Sequence, residues 1–213
     1  MRDTNRVTRE FATLTGTHVR LEPLALGHLD GLVAAAAAQP DLYCWTSTPQ
    51  GREATAQYIE AALALREAGK GLPFATVRII DGVVLGSTRF FDLETWFWPE
   101  GHARHGRRDP DVCEIGYTWL TRDAIRTAAN TEAKLLMLTY AFEVWGVLRV
   151  CLHTDARNQR SQAAIERIGG KFEGVIRAHR MAPDFIARDS YRYSIVAAEW
   201  PEAKHRIAQL LNR

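Results

Sequence analysis

The sequence predicts a single α/β domain, and three observations carry that expectation. Residues 113–120, Cys-Glu-Ile-Gly-Tyr-Thr-Trp-Leu, are a β-branched and aromatic run that reads as a buried strand. After a polar turn at residues 121–130, the segment from Thr131 to Glu143 collects good helix formers, with Leu135, Leu138, Ala141 and Phe142 spaced to share a face. A second strand at residues 148–154 opens into Asp155, Asn158 and Ser161, then a short helix over residues 159–168 that stops at Gly169-Gly170. Strand, helix, strand, helix in this order fits a parallel pair joined by a helical crossover.

The elements on either side read in chain order. Residues 1–12 have no periodicity and read as a flexible arm, which leaves 13–213 as the domain. Val19-Arg20-Leu21 is a first strand with Arg20 outward. Residues 27–39 are alanine-rich and helical, stopped at Pro40. A further helix starts with Thr48 as cap and Pro49 in its first position, and runs through Tyr58, Ile59, Ala62 and Leu65 towards Gly69. Residues 74–80 and 83–91 are strands joined by Asp81-Gly82, where glycine supplies the positive φ of a two-residue hairpin turn. Residues 92–112 form an unusually long connection holding Trp96, Phe97 and Trp98, to be read as core packing, a lid or an oligomer contact. Its basic cluster, His102, Arg104, His105, Arg107 and Arg108, reads as a solvated loop or a polyanion contact. Residues 171–179 and 190–196 are strands, and a last helix from Pro201 carries Ile207, Leu210 and Leu211.

Composition narrows the class. At 213 residues there is room for one sizeable core, and two full domains would be cramped. A hydrophobic share of 46% with 24% charged residues excludes a disordered chain. The longest bland apolar stretch, residues 32–38, is too short to span a bilayer, so no membrane association is expected. The first ten residues are polar and lack the apolar core of a signal peptide, so export is not expected. Three widely spaced cysteines, Cys44, Cys113 and Cys151, argue against a disulfide framework or a zinc cluster and suit a reducing cytoplasm. The seven histidines show no paired spacing suited to a metal. With 27 basic and 25 acidic side chains, no nucleic-acid partner is indicated.

The succession Glu114-Ile115-Gly116-Tyr117, Asn130-Thr131-Glu132-Ala133-Lys134, Arg149-Val150, Thr154-Asp155-Ala156-Arg157-Asn158-Gln159-Arg160-Ser161 and Gly169-Gly170-Lys171-Phe172-Glu173-Gly174 resembles the GCN5-related N-acetyltransferases (GNAT), in particular their RimJ/RimL-like group. The likeness covers nearly the whole chain. It implies a mixed central sheet with a splayed pair of parallel strands, acetyl-CoA as cofactor, and a primary amine as acceptor, a protein N-terminus or a small molecule. It also implies homodimers, for which these residues give no independent support.

Carried over residue by residue, the resemblance implies that the coenzyme A pyrophosphate meets backbone amides of Arg126, Thr127, Ala128, Ala129, Asn130 and Thr131 at a helix N-terminus, a favourable place for anions. The usual glycines of that loop are replaced by Ala129 and Thr131, and alanine fits there only if the native φ is negative. A plain helix cap by Asn130 or Thr131, with Glu132 near the positive helix end, is the bland alternative. Backbone groups of Trp119, Leu120 and Thr121 would meet the pantetheine amides. Asn158 would contact the pantetheine arm, and Ser161 would lie near the sulfur as proton donor or thiolate stabiliser, although both also suit helix capping. Glu114 is the candidate general base, or else a charged strand-edge residue paired with an arginine. Period two puts Tyr117 and Trp119 on one face with Ile115, opposite Glu114 and Gly116. No nucleophile has a base beside it in the sequence, so direct transfer in a ternary complex is expected over an acyl-enzyme. The competing expectations are an acyl-CoA-binding regulatory domain weakened by the missing glycines, and an interaction module built on residues 96–108.

Overall fold

The computed structural model describes residues 12–37 and 40–212, so the arm expected at residues 1–12 lies, but for Ala12, outside the described residues. The strands are β1 (Leu14–Thr15), β2 (Val19–Pro23), β3 (Gly71–Arg78), β4 (Val84–Glu94), β5 (Val112–Leu120), β6 (Arg149–Asp155), β7 (Lys171–Met181) and β8 (Ala187–Val196). They form one sheet in the order β1-β2-β3-β4-β5-β6-β8-β7. Neighbours pair antiparallel except β5 and β6, which are parallel, as the crossover pattern predicts. That parallel ladder is short: Val112, Cys113 and Glu114 pair with Arg149, Val150 and Cys151, and beyond Glu114 the two strands no longer pair.

Helices α1 (Leu29–Ala37) and α2 (Gly51–Glu67) cover one face, where Leu32, Ile59 and Ala62 bury against Val77 and Trp119. On the other face α3 (Ala128–Thr139) and α5 (Trp200–Leu211) pack Met137, Leu138 and Ile207 with Phe74, Phe90 and Ile115. The remaining α-helix, α4 (Gln159–Arg167), follows β6 and is capped by Asn158. This is a single α/β domain with a mixed sheet between helical layers.

Several local expectations are corrected. The hairpin between β3 and β4 exists, but Asp81-Gly82 is part of a wider turn over residues 79–83, with Gly82 at φ +72°. The Asp81 carboxylate accepts from Val83 N at 3.1 Å and from Arg78 Nε at 3.0 Å, which anchors the longer loop. Helix α2 starts at Gly51 with Gln50 as its cap residue, two positions beyond the expected Thr48-Pro49 start. Trp119 does not share a face with Ile115. β5 bulges at Tyr117 (φ +52°): Gly116 pairs with Arg89 and Trp119 with Ser87, so three steps on β5 oppose two on β4. One extra residue inverts the face of everything after it. Ile115 therefore joins the α3 side and Trp119 the α1/α2 side.

The connection at residues 95–111 is not core packing: Phe97 is 92% and Trp96 47% exposed. It is organised round the buried Asp111, whose carboxylate accepts from Trp96 N (2.8 Å), Trp98 Nε1 (3.0 Å) and Arg104 (3.0 Å). These contacts outweigh burial and hold the Asp111 carboxyl below the usual range. Nor is its basic cluster simply solvated. Arg104 donates to Gly146 O at 2.8 Å and Arg107 to Trp145 O at 2.5 Å. Both carbonyls lie at the end of the π-helical turn Tyr140–Trp145 that prolongs α3, where cations are favoured.

Candidate active site

Where β5 and β6 part, a cavity of about 550 Å³ opens between them. Its walls include residues of β5 from Glu114 to Leu120, residues of β6 from Leu152 to Thr154, the N-terminal turn of α3, one face of α4, and the β7–β8 hairpin. Of the residues singled out in the sequence, Glu114, Trp119, Leu120, Arg126, Thr127, Asn130, Asn158 and Ser161 line this cavity. Thr121, Ala128, Ala129 and Thr131 do not appear on its wall, and Ala129 and Thr131 are buried behind it.

The helix begins earlier than the sequence suggested. Thr127, not Asn130 or Thr131, is the cap: its Oγ1 accepts from Ala129 N at 3.2 Å and donates to Ala124 O at 2.7 Å. Ala129 and Thr131 are thus inside α3, with negative φ, and glycine is not required at either position. The positive φ that the tight entry does need, +62°, falls on Arg126. Of the first residues of α3 only Asn130 lies on the cavity wall, and the Ala129 amide is taken up by Thr127, so this end of the cavity meets the positive end of the helix dipole. Glu132 has a different task from the one expected. Buried in the second turn, its carboxylate accepts from Thr17, His18 and Val19 N at 2.7–2.8 Å and ties α3 to the turn between β1 and β2.

Glu114 sits at the fork of the two parallel strands, 5% exposed. Its partner is not an arginine: Oε2 lies 2.6 Å from His153 Nδ1 on β6. That contact is out of line for a hydrogen bond, and among the described residues neither ring nitrogen of His153 has a hydrogen-bond partner. The His179 ring follows at 5.2 Å between centroids, and burial, reinforced by Arg180, lowers its pKa. Behind this row lies a second cavity of about 180 Å³, also bordered by Asp92 and Glu94.

Asn158 Oδ1 accepts from Ser161 N at 3.1 Å, so the capping reading holds while both residues face the cavity. Among the described residues the Ser161 hydroxyl has no hydrogen-bond partner, which leaves it able to donate into the cleft. Several groups on the wall were given no role from the sequence. Lys134, one turn after Asn130 on α3, is buried among Thr118 (Nζ to Oγ1 2.7 Å), Thr88 (3.4 Å) and Met137, and burial lowers its pKa to about 7. The helical spacing of Asn130 and Lys134 was a usable signal, whereas nothing local marked His153, Arg180 or Arg188.

A splayed parallel pair with a helix N-terminus on one side and a buried carboxylate at the fork defines an acyl-CoA N-acyltransferase fold. Residues 18–171 match the Acetyltransferase (GNAT) domain, and the chain belongs to that acetyltransferase family. It is similar to a GCN5-related N-acetyltransferase from Brucella melitensis (28% identity, TM-score 0.80, 96% of this chain and 87% of that one). It shares its fold with Mycobacterium smegmatis RimJ in complex with CoA-disulfide (20% identity, TM-score 0.73, 93% and 91% covered). In sequence it is 33% identical over 91 residues to the "Putative ribosomal N-acetyltransferase YdaF" of Bacillus subtilis (strain 168), covering 43% of this chain and about half, 49%, of that relative.

Proposed function

We propose that the chain transfers the acetyl group of acetyl-CoA to a primary amine by direct attack in a ternary complex. The observation that carries this reading is the position of Glu114: a buried carboxylate at the point where the cleft passes between β5 and β6. The positive end of α3, with Arg126, Thr127 and Asn130 on the wall beside it, suits a pyrophosphate. Acetyl-CoA supplies the activated acyl group. Backbone groups of β5 near Trp119 and Leu120 hold the pantetheine arm, with Asn158 on the opposite wall. Glu114 takes a proton from the acceptor ammonium, which leaves the neutral amine as nucleophile. Ser161 donates a hydrogen bond to the departing sulfur. Negative φ at Ala129 and Thr131 removes the reason to expect a weakened cofactor loop.

Titration calorimetry of the purified chain with acetyl-CoA, repeated with Asn158→Ala, tests the first half. Micromolar binding that weakens in the variant is expected, and no binding at millimolar acetyl-CoA would overturn the reading. Release of free thiol in the presence of a panel of primary amines tests the second half.

A further inference from the structure

Among the described residues, the cavity wall carries six Lys and Arg side chains, Arg126, Lys134, Arg160, Arg167, Arg180 and Arg188, against one carboxylate, Glu114. The first four come from α3, its lead-in and α4, on the side suited to the phosphates of coenzyme A. Arg180 and Arg188 have no such explanation. They come from β7 and β8, where they are paired across the ladder, a position in which like charges repel. β7 is bulged just before Arg180: four steps from Ile176 to Arg180 oppose two on β8, and Ala178 takes φ +47° with its N–H on Asp189 Oδ1 at 2.8 Å. Bulges of this kind turn a side chain towards a site.

Neither guanidinium has its donors filled. Among the described residues Arg188 makes no hydrogen bond or ion pair: the carboxylates of Asp155 and Glu114 act on it only through space, and its Nε is shut off from solvent without an acceptor. Arg180 reaches only Asp92 Oδ2, at 3.6 Å, and lies 5.5 Å from the Phe91 ring centroid. Phe91 and Tyr117, 5.0 Å apart edge to face, form the adjoining wall. Buried Arg89, 4.0 Å from the Tyr117 ring and without an ion-pair partner among the described residues, adds positive charge there. A guanidinium offers five donors, and leaving one unmet away from water, as at Arg188 Nε, is costly, whereas the Arg180 side chain is 34% exposed and keeps access to solvent. Glu114, the one carboxylate on the wall, already faces His153.

We infer that the acceptor is an acidic amine: its amino group meets Glu114, and a carboxylate or phosphate on the same molecule meets Arg180 and Arg188. This rests on the acetyltransferase reading above and narrows its substrate class. Planar, forked guanidinium groups suit either anion.

The test is thiol release from acetyl-CoA with charge-matched acceptor pairs: 4-aminobutyrate against its amide, phosphoethanolamine against ethanolamine, and Ala-Asp-Ala-Ala-amide against Ala-Asn-Ala-Ala-amide. At least tenfold higher kcat/KM is expected for the acidic member of one or more pairs, and the pair that responds separates carboxylate, phosphate and peptide. The preference should collapse in Arg188→Gln and in Arg180→Gln, with acetyl-CoA affinity unchanged. Titration of the N-acetylated products gives the same comparison without turnover. Equal rates within every pair, or a preference that survives both substitutions, would refute the inference while leaving the acetyltransferase reading intact. Bound acetyl-CoA with no amine turned over and no product bound would instead take down both.

Discussion

Lys134 offers a test that needs no substrate. Its amine is buried on the cleft wall with two threonine hydroxyls and no carboxylate, and its pKa falls from 10.5 to about 7. Between those values the unfolded chain binds a proton that the folded chain does not, so stability climbs as pH rises through that window. Below about pH 7 both states are protonated and the full burial penalty is present; it corresponds to about 5 kcal/mol at 1.36 kcal/mol per unit of pKa. Lys134→Met removes the titrating group and keeps the side-chain volume close. The comparison is urea unfolding of both proteins at several pH values. Wild type should gain about 2 kcal/mol relative to Lys134→Met between about pH 7 and 9, after allowing for half-protonation at the lower end. The loss of the threonine contacts shifts all points alike and drops out. A difference that stays flat with pH, or that favours Lys134→Met more as pH rises, would show that Lys134 keeps its proton in the fold.

Other side chains give sharper local tests. Glu114→Gln should lower kcat by about 10²-fold or more, with acetyl-CoA affinity retained in calorimetry. Glu132→Gln weakens a carboxylate that holds three backbone amides and should cost about 2–3 kcal/mol in urea unfolding. Gly86→Ala sets a Cβ 2.0 Å from Trp119 O at φ +152°, so a loss above about 3 kcal/mol and poor soluble yield are expected. Gly82→Ala is its control: φ is +72° but no atom lies within 4 Å, and the melting temperature should reflect only about 1 kcal/mol.

The strands and helices of the central unit were legible because their apolar periodicity is local. What failed to show was set by contacts between distant parts of the chain. The bulge at Tyr117 carries no glycine to announce it, since φ > 0 at a tyrosine is imposed by the neighbouring strand rather than preferred. Glu132 looked like a helix-end charge because its amide partners lie 113 to 115 residues away. Ala129 and Thr131 looked like missing glycines because the start of α3 was placed three residues late. The cleft was half legible: Glu114, Asn158 and Ser161 stand in recognisable order, while Lys134, His153, Arg180 and Arg188 acquire meaning only when α3, β6 and the β7–β8 hairpin meet around them.

The parallel ladder between β5 and β6 has a mechanical corollary. Three paired residues join strands β1–β5 to strands β6–β8 within the sheet, and past Glu114 the remaining rungs are missing. A long, thin molecule lying in that gap, bonded to β5 on one side and to Asn158 on the other, would act as the absent rungs. Coenzyme A bound there would become a part of the sheet, and the proposed binding predicts that amide exchange at the far ends of β5 and β6 slows when it is added, while β3 and β4 barely change.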